Sequence, residues 1–236
     1  MAQLVSSKNL LLSTRPLTVG VASQPEALAA FLRLSPEERK ATCDLVELRL
    51  DLLELDADEL QHAIPLLDVP VVLTARHPAE GGKGTEDPAG RKELLEPLIH
   101  LAAIIDIELR SLRDMQDIIA KARRHGVSVM GSFHDFQVTP GEEVLQGVAN
   151  MAQTAGLDAV KLATYLNGPE DLLRLIKLVS EKRRMPMSAM GMGGLGRVSR
   201  LTLAKLGSLL NYGYLGEANA SGQWPARQLK DLLTDL

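Results

Sequence analysis

The chain has 236 residues, 45% of them hydrophobic and 24% charged, with 26 Lys and Arg against 30 Asp and Glu for a net charge of −4; that is the balance of one soluble globular domain, not of a disordered or membrane chain. Seven aromatics (Trp 1, Tyr 3, Phe 3) and no long run of one sign leave little for stacking single-stranded nucleic acid, and no general affinity for nucleic acid or acidic lipid. A single cysteine, Cys43, excludes an internal disulfide and a cysteine-based zinc site and suits a reducing cytoplasm; no apolar run approaches membrane-spanning length, and MAQLVSSKNLLLSTRP lacks the basic-then-apolar order of an export signal.

In residues 1–15, LVSS, Lys8-Asn9 and LLLS read as a small β-hairpin that closes the N-terminal end of the domain. From Leu17 onward, short apolar β-rich segments alternate with longer stretches of helical spacing. Strands are predicted at Leu17–Ala22, Leu45–Leu50, Val69–Ala75, Ala103–Leu109, Val127–Phe133, Ala159–Ala163, Met187–Met190 and, least aliphatic, Ser208–Tyr212. Amphipathic helices are predicted at Gly90–Leu101, Leu112–His125, Gly141–Ala155 and Pro169–Arg183, where apolar residues return every three or four positions. Parallel strands joined by helical crossovers need cover on both faces, and about eight such units close most economically into a barrel. Residues 1–236 are therefore predicted to form a single (β/α)8 TIM barrel. There is no linker or repeat, and the glycine cluster Gly191–Gly196 is too short to separate domains.

Side chains on a barrel strand alternate between the helix layer and the interior. In Val46-Glu47-Leu48-Arg49-Leu50-Asp51 the charged residues share one face and the aliphatics the other. A solvated edge strand would give the same pattern, but Asp106 and Glu108 repeat it, while Arg76 and His134 each terminate an aliphatic strand at its C-terminal end. Four strands thus send polar groups to one mouth, where the βα loops of a barrel build active sites.

Lys161 lies inside Ala159-Val160-Lys161-Leu162-Ala163, a strand that is otherwise apolar. Burial disfavours an ammonium and enlarges the fraction of free amine, the nucleophile that forms an imine with a ketone or aldehyde. A structural lysine paired with Glu108 or Asp106 is the alternative. Of five histidines, His62, His100 and His125 fall in or beside helical stretches; His77 and His134 are the loop candidates. His134 ends the strand that precedes the lysine strand, so both side chains can face one substrate, and an imidazole there needs a partner to fix its tautomer. Glu80 is the candidate partner. Gly81-Gly82 beside it serve either as the hinge of a lid or as a plain turn. Metal ligation finds little support, because no His-x-x-x-His or similar paired spacing occurs.

Met190-Gly191 through Ser199-Arg200 lacks the Lys-Ser/Thr of a phosphate loop. A glycine-rich loop followed by arginines fits a small anion such as a carboxylate, with Arg200 giving bidentate bonds. Ala218 to Gln223 reads by itself as an ordinary polar surface turn.

Taken together, these residues resemble the type I 3-dehydroquinate dehydratases of the shikimate pathway, which act through a lysine imine. The likeness spans nearly the whole chain: Glu47 to Asp51, Thr74-Ala75-Arg76 with Glu80-Gly81-Gly82, Asp106-Ile107-Glu108, Ser132 to Phe136, Val160 to Ala163, Met190 to Arg200, and Ala220 with Gly222-Gln223. The resemblance implies the (β/α)8 barrel. It implies Lys161 as the imine-forming nucleophile on the ketone of 3-dehydroquinate, His134 as general acid and base, and Glu80 as its orienting partner. It further implies Arg200 and Gln223 as carboxylate and ring-hydroxyl grips, with Glu47, Arg49 and Arg76 on the remaining hydroxyls. The product would be 3-dehydroshikimate, on the route to chorismate and the aromatic amino acids. No metal or other cofactor is required, and a cytoplasmic homodimer is implied, without nucleic-acid or membrane partners. Asn219 stands where the family usually has Ser or Thr, and the resemblance implies a substrate contact at that position. The competing readings are a class I aldolase, which needs a phosphate or aldehyde site in place of the carboxylate grip, and a barrel that binds a shikimate-type acid without turning it over.

Overall fold

The computed structural model describes residues 7–84, 87–218 and 220–235. Eight strands form one parallel sheet: β1 Leu17–Ala22, β2 Leu45–Arg49, β3 Val71–Thr74, β4 Ile104–Glu108, β5 Ser128–Asp135, β6 Ala159–Tyr165, β7 Met187–Met192 and β8 Leu210–Leu215. From β1 to β7 each pairs in parallel with its neighbour in sequence, and β8 returns to pair with β1. Leu209 N donates to Met187 O at 2.8 Å and Leu210 N to Ser188 Oγ at 2.9 Å, which brings the two remaining edges together. Helices lie between successive strands, so the (β/α)8 barrel is the fold. No helix among the described residues is long and apolar enough to cross a membrane.

The alternation of side chains separates the core into two layers. Val46, Leu48, Leu73, Ile105, Ile107, Val129, Val160 and Leu162 point outward against the helices. Val19, Leu45, Val72, Ile104, Met130 and Ala159 fill the lower interior of the barrel. Their inward-facing neighbours one pleat higher, Glu47, Thr74, Asp106, Ser132 and Lys161, are polar and buried. The apolar floor therefore supports a polar layer at the C-terminal ends of the strands.

Three expectations need correction. Ser7–Leu11 is a short helix, with Lys8-Asn9 inside it, so the N-terminal hairpin is not formed there; residues 1–6 lie outside the described residues. One helical turn buries Leu11 in the barrel floor, with Leu10 packed against the same cluster, and leaves Leu12 exposed. The predicted helix Gly90–Leu101 is a helix over Pro88–Leu95 and a separate 3-10 turn over Ile99–Leu101; Pro97 lacks the N–H to continue the ladder. Finally, β8 is Leu210–Leu215: Ser208 lies before it as a loop anchor that bonds both N and O of Ala189, and the pairing with β1 continues to Leu215.

Candidate active site

Lys161, from the middle of β6, reaches the polar layer with only 4% of its surface exposed. Its Nζ lies 3.1 Å from Asp106 Oδ2, 3.4 Å from Glu47 Oε1 and 4.0 Å above the centre of the Tyr212 ring. The two readings of this lysine coincide: it is ion-paired, to Asp106 and Glu47 and not to Glu108, and it also lines the cavity at the barrel mouth. Glu47 is held in turn by Thr74 Oγ1, at 2.8 Å.

Arg76 follows β3 and is almost wholly committed. Its Nη atoms take both oxygens of Asp106, at 3.0 and 2.8 Å, Glu108 Oε1 at 2.9 Å and Ser132 Oγ at 2.6 Å. Burial pushes the Asp106 carboxyl up, but Arg76 and then Lys161 outweigh it and hold the group well below the usual carboxylate range.

His134 and Glu80 meet as the sequence suggested. One carboxylate oxygen of Glu80 accepts from both the backbone N–H of His134, at 3.0 Å, and its Nδ1, at 2.9 Å. With Glu80 ionised, Nδ1 is the donor of this bond and Nε2 is the ring's available acceptor. Burial, reinforced by Arg76 and Lys161, holds the His134 pKa well below its ordinary value. Burial likewise raises Glu80 to about 7, with Glu108 and Asp106 adding to the rise against Arg76. Gly81 and Gly82 answer to space more than to mobility. Gly81 has φ of 83° and its missing Cβ would sit 2.6 Å from Phe136 Cζ, while a Cβ on Gly82 would collide with the Arg76 carbonyl. Of the two readings of Gly81-Gly82, the close contacts favour the turn, and that packed turn delivers Glu80.

A carboxyl whose folded value of about 7 stands above its ordinary 4.5 stabilises the fold fully below pH 4.5, and that contribution is lost as pH rises to 7. Glu80→Gln keeps an acceptor for His134 and removes the titration. Relative to wild type, the variant is expected to be more stable at pH 8 than at pH 4.5 by on the order of 3 kcal/mol, read by urea unfolding at the two pH values. The acid limb of kcat/KM near pH 7 should vanish with it, because the Glu80–His134 pair loses its shared proton there; persistence of that limb in Glu80→Gln would assign it elsewhere.

Arg200 is 2% exposed, and its Nε and Nη1 donate to the carbonyls of Gly222 and Tyr212, both at 3.1 Å. Among the described residues it forms no ion pair, and burial alone draws its pKa down to about 10. A buried guanidinium held by carbonyls and facing a cavity is a ready partner for a carboxylate. Gln223, 7% exposed, lines the same cavity and accepts from Ala220 N at 3.3 Å. Gly222, with φ of 75°, packs on Gly193 and Gly196, and Ser221 Oγ accepts from Gly193 N at 3.0 Å, so the last loop is tied to the glycine-rich one and is not a free surface turn. Asn219 lies outside the described residues.

Glu47, Arg49, Arg76, Glu80, His134, Lys161, Arg200 and Gln223 therefore all line one cavity. Arg49 is half-engaged there by a bidentate pair with Asp51, at 2.9 and 2.8 Å. Sequence reasoning passed over Tyr212, Met190 and Met192, which complete the wall, although the parity count that located Glu47 applies equally to β7 and β8. No group of three or more His, Cys, Asp or Glu among the described residues is arranged to hold a metal ion.

The family model for type I 3-dehydroquinase matches residues 26–236. The 3-dehydroquinate dehydratase of Methanosarcina barkeri is 34% identical over 219 residues, covering 87% of this chain and 90% of its own. Among solved structures, the 3-dehydroquinate dehydratase of Geobacillus kaustophilus superposes with a TM-score of 0.82 at 24% identity, over 95% of this chain and 92% of that one. The type I 3-dehydroquinate dehydratase of Clostridium difficile, solved with covalent modified comenic acid, gives 0.81 at 25% identity, over 94% and 92%.

Proposed function

The chain belongs to the type I 3-dehydroquinase family, and from that premise we propose how its own residues carry out the reaction. The enzyme is a 3-dehydroquinate dehydratase, a hydro-lyase of the shikimate pathway. The observation that carries the assignment of roles is the placement of a strand lysine, a neutral imidazole and a carboxylate-free buried arginine around one cavity.

In this reading Arg200 takes the substrate carboxylate, which fixes the ketone carbon over Lys161. The neutral amine of Lys161 adds to that carbon, and the carbinolamine loses water to give an iminium. Asp106 and Glu47, at 3.1 and 3.4 Å from Nζ, receive the cation in either its ammonium or its iminium form, and the Tyr212 ring supports it from one face. The iminium withdraws electrons from the adjacent carbon. His134 takes a proton from there through Nε2, the C2–H electron pair moves toward the iminium, and the resulting enamine expels the C1 hydroxyl as His134 returns the proton to it. Hydrolysis of the product iminium restores Lys161. Glu80 keeps the imidazole in the required tautomer throughout.

Glu47, Arg49 and Gln223 are left for the ring hydroxyls, and Asn219 is assigned there on resemblance alone. Arg76 lines the cavity, but its bonds to Asp106, Glu108 and Ser132 give it the task of holding Asp106 more than of gripping substrate. The family resemblance supports a cytoplasmic homodimer.

The test is turnover of 3-dehydroquinate by the purified protein, followed by the absorbance of the conjugated enone product. Arg200→Met is expected to raise KM by roughly 10- to 100-fold with a smaller change in kcat, since a charge-assisted bond to a carboxylate contributes about 1.5–3 kcal/mol. An unchanged KM would take the carboxylate away from Arg200, and absence of turnover in the wild type would remove the reading itself.

A further inference from the structure

Arg91 lies on the helix Pro88–Leu95, outside the strand layer, and takes no part in lining the cavity. It is nevertheless 4% exposed. Its Nη1 donates to Glu108 Oε2 at 2.8 Å and to Ser111 Oγ at 3.1 Å. The other oxygen of Glu108 accepts from Arg76 Nη1 and from the backbone N–H of His77, both at 2.9 Å. Arg76 grips both oxygens of Asp106, whose Oδ2 stands 3.1 Å from Lys161 Nζ. The result is a buried chain of alternating sign, Arg91–Glu108–Arg76–Asp106–Lys161, from the helix layer to the nucleophile.

We propose that Arg91 is a positioning residue for the reaction: by neutralising Glu108 through its second oxygen it lets one Arg76 serve Glu108 and Asp106 together, and so sets the place and the charge of Lys161 without touching substrate. This rests on Lys161 as the imine-forming amine. In a buried network, charges act on one another over several bonds' length because little water screens them. Without Arg91, Arg76 is the one cation left to Glu108 as well as to Asp106, and with Glu47 counted beside Lys161 the network carries one uncompensated negative charge. The groups facing Lys161 are Glu47 from β2, Asp106 from β4, His134 at the end of β5, Tyr212 from β8 and Arg76 after β3; β1 and β7 present Val21, Met190 and Met192 to the same cavity. Of the charged groups in this set, Asp106 and Arg76 are the ones joined to Arg91 by hydrogen bonds, through Glu108. Added negative charge favours the ammonium over the amine, which slows imine formation at neutral pH; added positive charge does the reverse.

That sign dependence gives the experiment. Imine formation is measured by borohydride trapping with 3-dehydroquinate, as the mass added to the protein, across a pH series and with thermal unfolding recorded alongside. Wild type must trap first; if it does not, the nucleophile assignment fails and not the role of Arg91. Arg91→Met is then expected to move the half-rise of trapping up by about one pH unit, a roughly tenfold loss near neutrality. Glu108→Gln, which leaves Arg91 in surplus, moves it down. The double variant Arg91→Met/Glu108→Gln returns it close to wild type. Opposite shifts in the single variants, or either one alone in its stated direction if the other does not fold, support the proposal. No shift, shifts of the same sign, or a double variant as impaired as Arg91→Met would overturn it and leave Arg91 a packing residue.

Discussion

Lys161→Ala is expected to abolish imine formation and to lower kcat by on the order of 10⁴-fold or more, as loss of a covalent nucleophile does when the remaining binding groups stay in place. Borohydride reduction of wild type in the presence of 3-dehydroquinate should add a substrate-derived mass to the peptide that contains Lys161 and to no other. Labelling of Lys161→Ala, or of another lysine in the wild type, would remove Lys161 from the role. The same substitution takes one cation from Asp106 and Glu47. Because Asp106 keeps both bonds to Arg76, the variant should still fold, with a loss within the roughly 3–5 kcal/mol seen when one partner of a buried pair is removed. The loss of activity is thus separable from unfolding by a thermal melt.

His134→Ala should lower kcat by about 10²–10⁴-fold, the usual contribution of a positioned acid–base group. Substrate binding should persist, since Arg200, Arg49 and Gln223 are untouched. The covalent intermediate is expected to accumulate in this variant, because the amine is still present while the proton transfers that consume the iminium are slowed. Single-turnover trapping at short times measures that directly. Near-wild-type turnover would assign the proton transfers to another group. His77 is poorly placed to be that group: its Nδ1 accepts from Ala79 N at 3.1 Å in a turn, and it does not line the cavity.

The sequence by itself determined the parts of this protein that depend on local period. Alternation of two places Glu47, Asp106 and Lys161 on the inward face whatever the neighbouring strands do, and β/α repetition with short loops leaves a closed barrel as the economical outcome. A lysine among aliphatics and a histidine at a strand end stand out for the same local reason. Only the tertiary structure decided which acid serves which base. Strands in a barrel are tilted and staggered, so residues of non-adjacent strands share a level according to the shear, a property of the closed sheet and of no single strand. That stagger gives Lys161 to Asp106 and Glu47, commits Arg76 to Asp106 and Glu108, and leaves Arg200 without a carboxylate. It also brings Arg91 from the helix layer against the far side of Glu108, 17 residues away in sequence, where no period in the chain connects the two. The N-terminal turn followed the same rule: whether Leu11 is buried from a strand or a helix depends on the shape of the floor beneath it, and that floor is built by residues of many strands, Val19, Leu45, Val72, Ile104, Met130 and Ala159 among them.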